Sequence, residues 1–229
     1  MKTGIIASMF LVAVLFFSCQ GGARPNPNML ADRDPISMGS VELELEKILS
    51  SSLEKKEAQV FFAPRTDSVY LQFRYQSITY RQYWDRAGRA AFVSALTRYR
   101  KDYEDHNLGL APAKASRAYG TLGGYTEWGQ VNISVLMSAK ANPRMELGYR
   151  FSSGSPYFTV LQRRAEDISG MASSDVTRES LNIRSYFTRA QAEELAVLFD
   201  QEYLLSLIGG MNAIRSNTEI PADVYTEAE

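Results

Sequence analysis

Residues Ser68–Gln76, SVYLQFRYQ, alternate without a break. Val69, Leu71, Phe73 and Tyr75 fall on one side; Tyr70, Gln72, Arg74 and Gln76 fall on the other. A period of two belongs to an extended strand with one face buried and one face wet. A lone strand leaves its backbone N–H and C=O groups unpaired, so this stretch commits the chain to a sheet. VNISVLMS sets Val131, Ile133, Val135 and Met137 on one face, and MELGYRF does the same for Met145, Leu147, Tyr149 and Phe151. Turn chemistry falls at Trp128-Gly129-Gln130, at Ala141-Asn142-Pro143 and at Ser152-Ser153-Gly154-Ser155. With SRAYGTLGGYTEW before them and PYFTVLQR after, residues 116–164 read as an antiparallel meander. The glycines of the first strand suggest a bulge or a close approach by another segment. Two more short strands are expected, Ala58–Ala63 and Leu181–Phe187.

Other segments carry helical spacing. Val41, Leu45, Ile48 and Leu49 share a helical face behind a capping Ser40, which predicts a helix over Val41–Lys56. Trp84, Gly88, Phe92, Leu96, Tyr99 and Tyr103 form a stripe that predicts one long helix from Thr79 to about Asp105, followed by a loop over 106–115. Thr188 with Gln191 fits a capping box. The helix it opens is expected to run to Ile208, to be the most buried one and to stop at Gly209-Gly210. The order α-β-β-α-β-β-β-β-β-α describes an α+β domain, a mainly antiparallel sheet with helices packed on one face. A transmembrane barrel needs strands alone and is disfavoured by two long helices.

The first residues follow a different logic. Lys2 precedes an apolar run from Ile5 to Phe17. Thirteen residues are too short for a membrane-spanning helix, which needs about 20, and suit a cleaved export signal. The sole cysteine, Cys19, follows directly after Phe16-Phe17-Ser18. This resembles the lipobox of bacterial lipoproteins, with Phe16 and Phe17 departing from the usual Leu and small residue in the relaxed manner familiar from spirochaetes. The resemblance covers residues 1 to about 22 and implies lipidation of Cys19, as with a palmitate-bearing membrane anchor, and cleavage before it. Beyond the lipobox no domain family is recognised. Residues 1–18 are then a signal peptide, 19–40 a Gly-, Pro- and Asn-rich flexible tether, 41–211 a single α+β domain and 212–229 an acidic tail.

Removing residues 1–18 takes one lysine from 25 basic residues and leaves the 26 acidic ones, a net charge of 24 − 26 = −2. A near-neutral domain argues against nucleic acid as a partner. With Cys19 lipidated no thiol remains for a disulfide or a metal, and a single His106 cannot build a metal site with cysteine gone; no cofactor and no metal are expected. His106 reads as a solvated loop residue. Ser52-x-x-Lys55 lacks the companion motifs of penicillin-binding enzymes. Neighbouring Glu193 and Glu194 do not face each other on a helix, and nothing singles out a catalytic carboxylate pair elsewhere. Gly120–Gly129 is not a phosphate loop, because no Lys-Ser/Thr follows it. No catalytic residue is assigned.

Two clusters remain as binding candidates. Arg74, Tyr80, Arg81, Tyr83, Arg86 and Arg89 gather at a strand–helix junction, and arginine and tyrosine are favoured at interfaces. Ten basic residues face five acidic ones from Arg65 to Arg117, against one basic and eight acidic from Ala190 onward, a polarity able to orient the domain on an anionic surface. The second cluster is Tyr119, Tyr125 and Glu127 with Thr121 on the Gly-rich strand, where a glycan or a peptide edge could bind. The expectation is a lipid-anchored cell-envelope protein, periplasmic or on the outer-membrane surface, acting as a non-enzymatic binding or structural module. Its partners are the membrane, through the lipid, and a protein, glycan or small molecule. An envelope hydrolase using carboxylates and a surface adhesin are the alternatives.

Overall fold

The computed structural model describes residues 35–48, 50, 52–109, 111, 115–132, 135–170 and 177–218. Cys19 and most of the expected tether lie outside the described residues. Ten strands and three α-helices follow one another: β1 (Ile36–Glu46), β2 (Leu53–Ala63), β3 (Ser68–Tyr75), β4 (Ile78–Trp84), α1 (Arg86–Glu104), β5 (Ser116–Gly123), β6 (Tyr125–Asn132), β7 (Val135–Ala141), β8 (Arg144–Ser152), β9 (Ser155–Gln162), β10 (Ile183–Phe187), α2 (Arg189–Leu198) and α3 (Gln201–Thr218). The fold is mainly antiparallel sheet, as expected.

The strands form one sheet in the order β5-β8-β9-β10-β1-β2-β3-β4-β6-β7. β5 and β6 stand eight places apart in that order, yet Gly124 alone joins them. Flat, eight steps would span about 38 Å at roughly 4.8 Å each. One residue cannot cross that distance, so the sheet curls until its two ends meet. Asn142 and Pro143, between β7 and β8, make the same demand. The two connections touch: the Gly124 N–H donates to the Pro143 carbonyl at 2.8 Å. Inside the curl, Gln82 of β4 donates to Gln162 of β9 at 3.1 Å, although five places separate their strands.

The expected helix over Val41–Lys56 is instead the hairpin β1–β2. Val41 and Leu45 are four apart, a spacing that a helix and a strand share. Leu43 between them is buried too, while Glu42, Glu44 and Glu46 turn outward, which is period two. Residues 36–40, expected in the tether, already pair with β2. The long helix from Thr79 also divides. Residues up to Trp84 are strand β4, and Asp85 caps α1 by accepting the Gly88 N–H at 2.7 Å. The stripe holds from Gly88 onward: Gly88, Phe92, Leu96 and Tyr99 are buried, and Tyr103 is exposed.

The meander is broken differently from the expectation. Trp128-Gly129-Gln130 lies inside β6, and VNISVLMS spans the end of one strand and the start of the next, with Asn132 pairing Val135. The Ser153-Gly154 turn is as expected, with positive φ at both residues. At the C-terminal end the Thr188–Gln191 capping box is present. The helix stops at Leu198, however, because Asp200 starts a new one by accepting the Tyr203 N–H at 2.8 Å. α3 continues through Gly209 and Gly210 to Thr218. α1, not the C-terminal helix, buries the largest set among the described residues. Its Phe92 meets Trp84, Phe158, Phe187 and Phe199, tying strands and helices into one core.

Candidate functional site

Alternation in β4 turns Tyr80, Gln82 and Trp84 inward and Arg81 and Tyr83 outward. In β6, Thr126 and Trp128 point in, leaving Tyr125 and Glu127 outside. The register sets Tyr83 opposite Tyr125 and Arg81 opposite Glu127. A row of rings follows on the outer face: Phe61, Tyr70, Tyr83 and Tyr125, at centroid separations of 5.0, 4.9 and 5.1 Å. Those distances match one inter-strand step, so neighbouring rings meet across the strands, stacked at Phe61–Tyr70 and tilted at Tyr70–Tyr83 and Tyr83–Tyr125. Tyr70 and Tyr83 each have a ring on both sides. Tyr125, at the end of the row, has Tyr83 on one side only.

Glu127 organises this end of the row. Its carboxylate accepts the Tyr83 and Tyr125 hydroxyls, both at 3.0 Å. Arg81 approaches it at 3.9 Å and Lys140 of β7 at 3.7 Å. Arg81 is itself held by Gln72 at 2.8 Å and lies 5.5 Å from the Tyr70 ring centre. Burial first, and then the Glu127 charge, push the Tyr125 phenol up to about 12 and raise Tyr83 further. Both tyrosines therefore stay neutral donors to Glu127. Two hydroxyl donors and two nearby cations hold the Glu127 side chain in place, an arrangement that suits recognition.

Beside this cluster opens a cavity of 470 Å³. Tyr83, Trp84, Tyr125 and Leu122 give it apolar surface; Asp85, Glu127, Thr66 and Ser68 give it oxygens; Gly88, Gly123 and Gly124 leave it room. Small-molecule sites are concave, roughly 300–1,000 Å³, and combine aromatic walls with a few polar groups. Among the described residues, no lysine or arginine lines it.

Of the candidate residues, Arg81, Tyr83, Tyr125 and Glu127 come together here. Tyr80 does not: it is fully buried against Phe73 on the inner face, because the stretch taken for helix is a strand and alternates. Arg89 does not either. It is 2% exposed and bound to Asp67, Trp84 and Gln201. Arg74 and Arg86 are exposed, outside the cavity lining. Tyr119 belongs to another cluster, donating to Asp102 at 2.8 Å and packing on Tyr149. Sequence reasoning missed Asp85, Lys140, Thr66 in the β2–β3 turn and Ser68 at the start of β3. The double glycine Gly123-Gly124 was the one available hint, and a close approach exists there: a Cβ on Gly124 would sit 2.4 Å from Met145 Sδ.

The sheet edges offer little to a peptide strand. On β7, the Lys140 N–H donates to Asp167 at 2.9 Å, and Lys140 O accepts the Ile168 N–H at 2.8 Å. β5 carries a bulge between Ala118 and Gly120, and Arg98 caps the Tyr119 carbonyl at 2.8 Å. No group of three or more metal-ligating side chains exists among the described residues. No helix searched is long and apolar enough to cross a membrane.

Comparison with known proteins corrects the expectation that no domain family would be recognised. A family profile described as "Uncharacterised Treponema protein" matches residues 35–206. The chain is also similar to an "Uncharacterized protein" of Treponema pallidum (strain Nichols), 24% identical over 188 residues, which covers 81% of this chain and 64% of that relative. The chain thus spans less than two thirds of the relative's length. No solved structure matches.

Proposed function

We propose, on the premise that the chain belongs to the family described as "Uncharacterised Treponema protein", that it is a lipid-anchored cell-envelope protein whose domain is a non-enzymatic binding module. The observation that carries the binding reading is the cavity beside Glu127, where two tyrosines are locked on one carboxylate. Pre-positioned side chains reduce the entropy lost when a ligand binds. The anchor rests on the apolar run and Cys19. In the same reading the three helices lie on one face of the sheet, and the outer face of β3, β4 and β6 is left for the ligand. A small ligand is favoured over a peptide strand, since both sheet edges are blunted.

The test uses the native protein in its own cells. Labelled palmitate is expected to enter the wild-type chain and partition it into detergent, and Cys19→Ser is expected to abolish both. An unlabelled, soluble wild-type chain overturns the anchor. Protease on intact and lysed cells then places the domain outside or inside the outer surface. For the binding module, the detergent-solubilised protein is expected to show a saturable change in tryptophan fluorescence with some small ligand, since Trp84 lines the cavity. A ligand whose binding is unaffected by Tyr125→Phe and Asp85→Asn counts against the cavity as its site.

A further inference from the structure

The lining of the cavity narrows its ligand by charge and hydrogen-bonding chemistry. It holds two carboxylates, Asp85 and Glu127, and, among the described residues, no cationic side chain. A phosphate or carboxylate ligand would meet two carboxylates, since Arg81 and Lys140 lie on Glu127 outside the lining. An acyl chain would cover both carboxylates without offering either a hydrogen bond, and stripping water from unpaired polar groups is costly. An ammonium ligand would compete for charge already engaged. Glu127 is approached by Arg81 and Lys140 and holds two phenolic donors. Asp85 sits at the positive end of α1 and caps it through Oδ1.

The remaining chemistry is neutral and rich in hydroxyls. Asp85 has a second carboxylate oxygen beyond the one used in the cap, able to accept from a ligand hydroxyl. Tyr83 and Tyr125 spend their protons on Glu127, so toward any further partner their oxygens can only accept. Trp84, turned to the inner face, closes the cavity with the carbon edge of its indole, Cε3 lying 3.6 Å from where a Cβ on Gly88 would stand. Tyr125 ends the aromatic row and offers ring surface to C–H groups.

We propose that this cavity binds a neutral pyranose unit, the exposed end of a glycan, with its hydroxyls on Asp85 and the tyrosine oxygens and its C–H face on Tyr125. The proposal rests on the reading of the cavity as a ligand site.

The experiment is titration of the full-length, detergent-solubilised protein with neutral oligosaccharides of glucose, mannose, galactose and N-acetylglucosamine. Choline, spermidine and inorganic phosphate are titrated in parallel, and tryptophan fluorescence and calorimetry are the readouts. At least one sugar is expected to saturate. Tyr125→Ala is expected to weaken it tenfold or more, and Asp85→Asn about fivefold. Asn retains a helix cap, so this second variant keeps the fold while removing the charge and replacing the free acceptor oxygen by an N–H donor. Arg74→Ala, exposed and outside the lining, should leave the affinity within twofold. Choline, spermidine or phosphate binding lost in Asp85→Asn, with no sugar bound, overturns the glycan and leaves the cavity standing. Absence of any binding that depends on Asp85 or Tyr125 overturns both.

Discussion

The Arg89 Nη2 atom lies 2.9 Å from Asp67 Oδ1, with the arginine side chain 2% exposed and the aspartate 35%. The same guanidinium donates to the Asp67 and Trp84 carbonyls and to Gln201 Oε1, at 2.6, 3.3 and 2.6 Å. One buried cation thus ties the β2–β3 turn, the end of β4 and the start of α3 to α1. Removing it leaves four acceptor atoms, on three residues, without their donor. Arg89→Leu is expected to cost about 3–5 kcal/mol, as for breaking a buried ionic node. Asp67→Asn should cost about 1–2 kcal/mol, because Asn keeps one acceptor and tolerates the positive φ of 45° at this position. Urea unfolding of the three proteins measures both; equal losses would contradict the burial asymmetry.

Three glycines should respond to alanine in a fixed order. A Cβ on Gly148 would lie 2.2 Å from the Arg117 carbonyl oxygen, which belongs to the neighbouring backbone. Gly124 would meet the Met145 thioether, buried but flexible; Gly120 would meet nothing within 4 Å. The expected losses are about 3 kcal/mol for Gly148→Ala, about 1–2 for Gly124→Ala and within about 0.5 for Gly120→Ala. Melting temperatures rank the three, and an intolerant Gly120 would refute the open space beside it.

Alkali should unfold the domain before it titrates all its tyrosines. Burial leads the causes that raise Tyr80, Tyr99, Tyr125 and Tyr186 to about 12 from an ordinary 10. A phenol raised in the folded state binds its proton more tightly there than in the unfolded chain. The associated stability is whole below about pH 10 and falls as pH rises towards 12. Phenolate absorbance should therefore appear together with loss of tertiary structure. Glu127→Gln removes the charge that helps raise Tyr125, so that residue should ionise at lower pH than in the wild type. An unchanged titration would remove Glu127 from the cluster's electrostatics.

The capping box at α2 gives a local test. Thr188 Oγ1 accepts the Gln191 N–H at 3.3 Å, and Gln191 Oε1 accepts the Thr188 N–H at 2.9 Å. Thr188→Ala should cost about 1 kcal/mol and Thr188→Ser a few tenths. Chemical denaturation reads the difference.

Much of the local grammar was legible before any coordinates. The β3 alternation, the Ser153-Gly154 turn, the Thr188 cap and the stripe from Gly88 to Tyr99 each depend on residues a few positions apart. The errors arose where two local patterns coincide. Val41 and Leu45 satisfy both periods, and Gln76-Ser77 turns the β3–β4 hairpin through positive φ without glycine or asparagine to announce it. That unannounced turn hid β4, and with it the opposite facing of Tyr80 and Tyr83.

By itself the sequence determined a sheet-rich chain, an N-terminal segment with a single cysteine after an apolar run, and the aromatic and acidic residues available for a site. Only the tertiary structure decided that the sheet curls, that one glycine crosses its seam, and that Tyr83 of β4 stands on the same carboxylate as Tyr125 of β6. Strand pairing is a choice among distant partners with similar alternating faces, so it is set by the sum of many long-range contacts. No short window of sequence contains that sum.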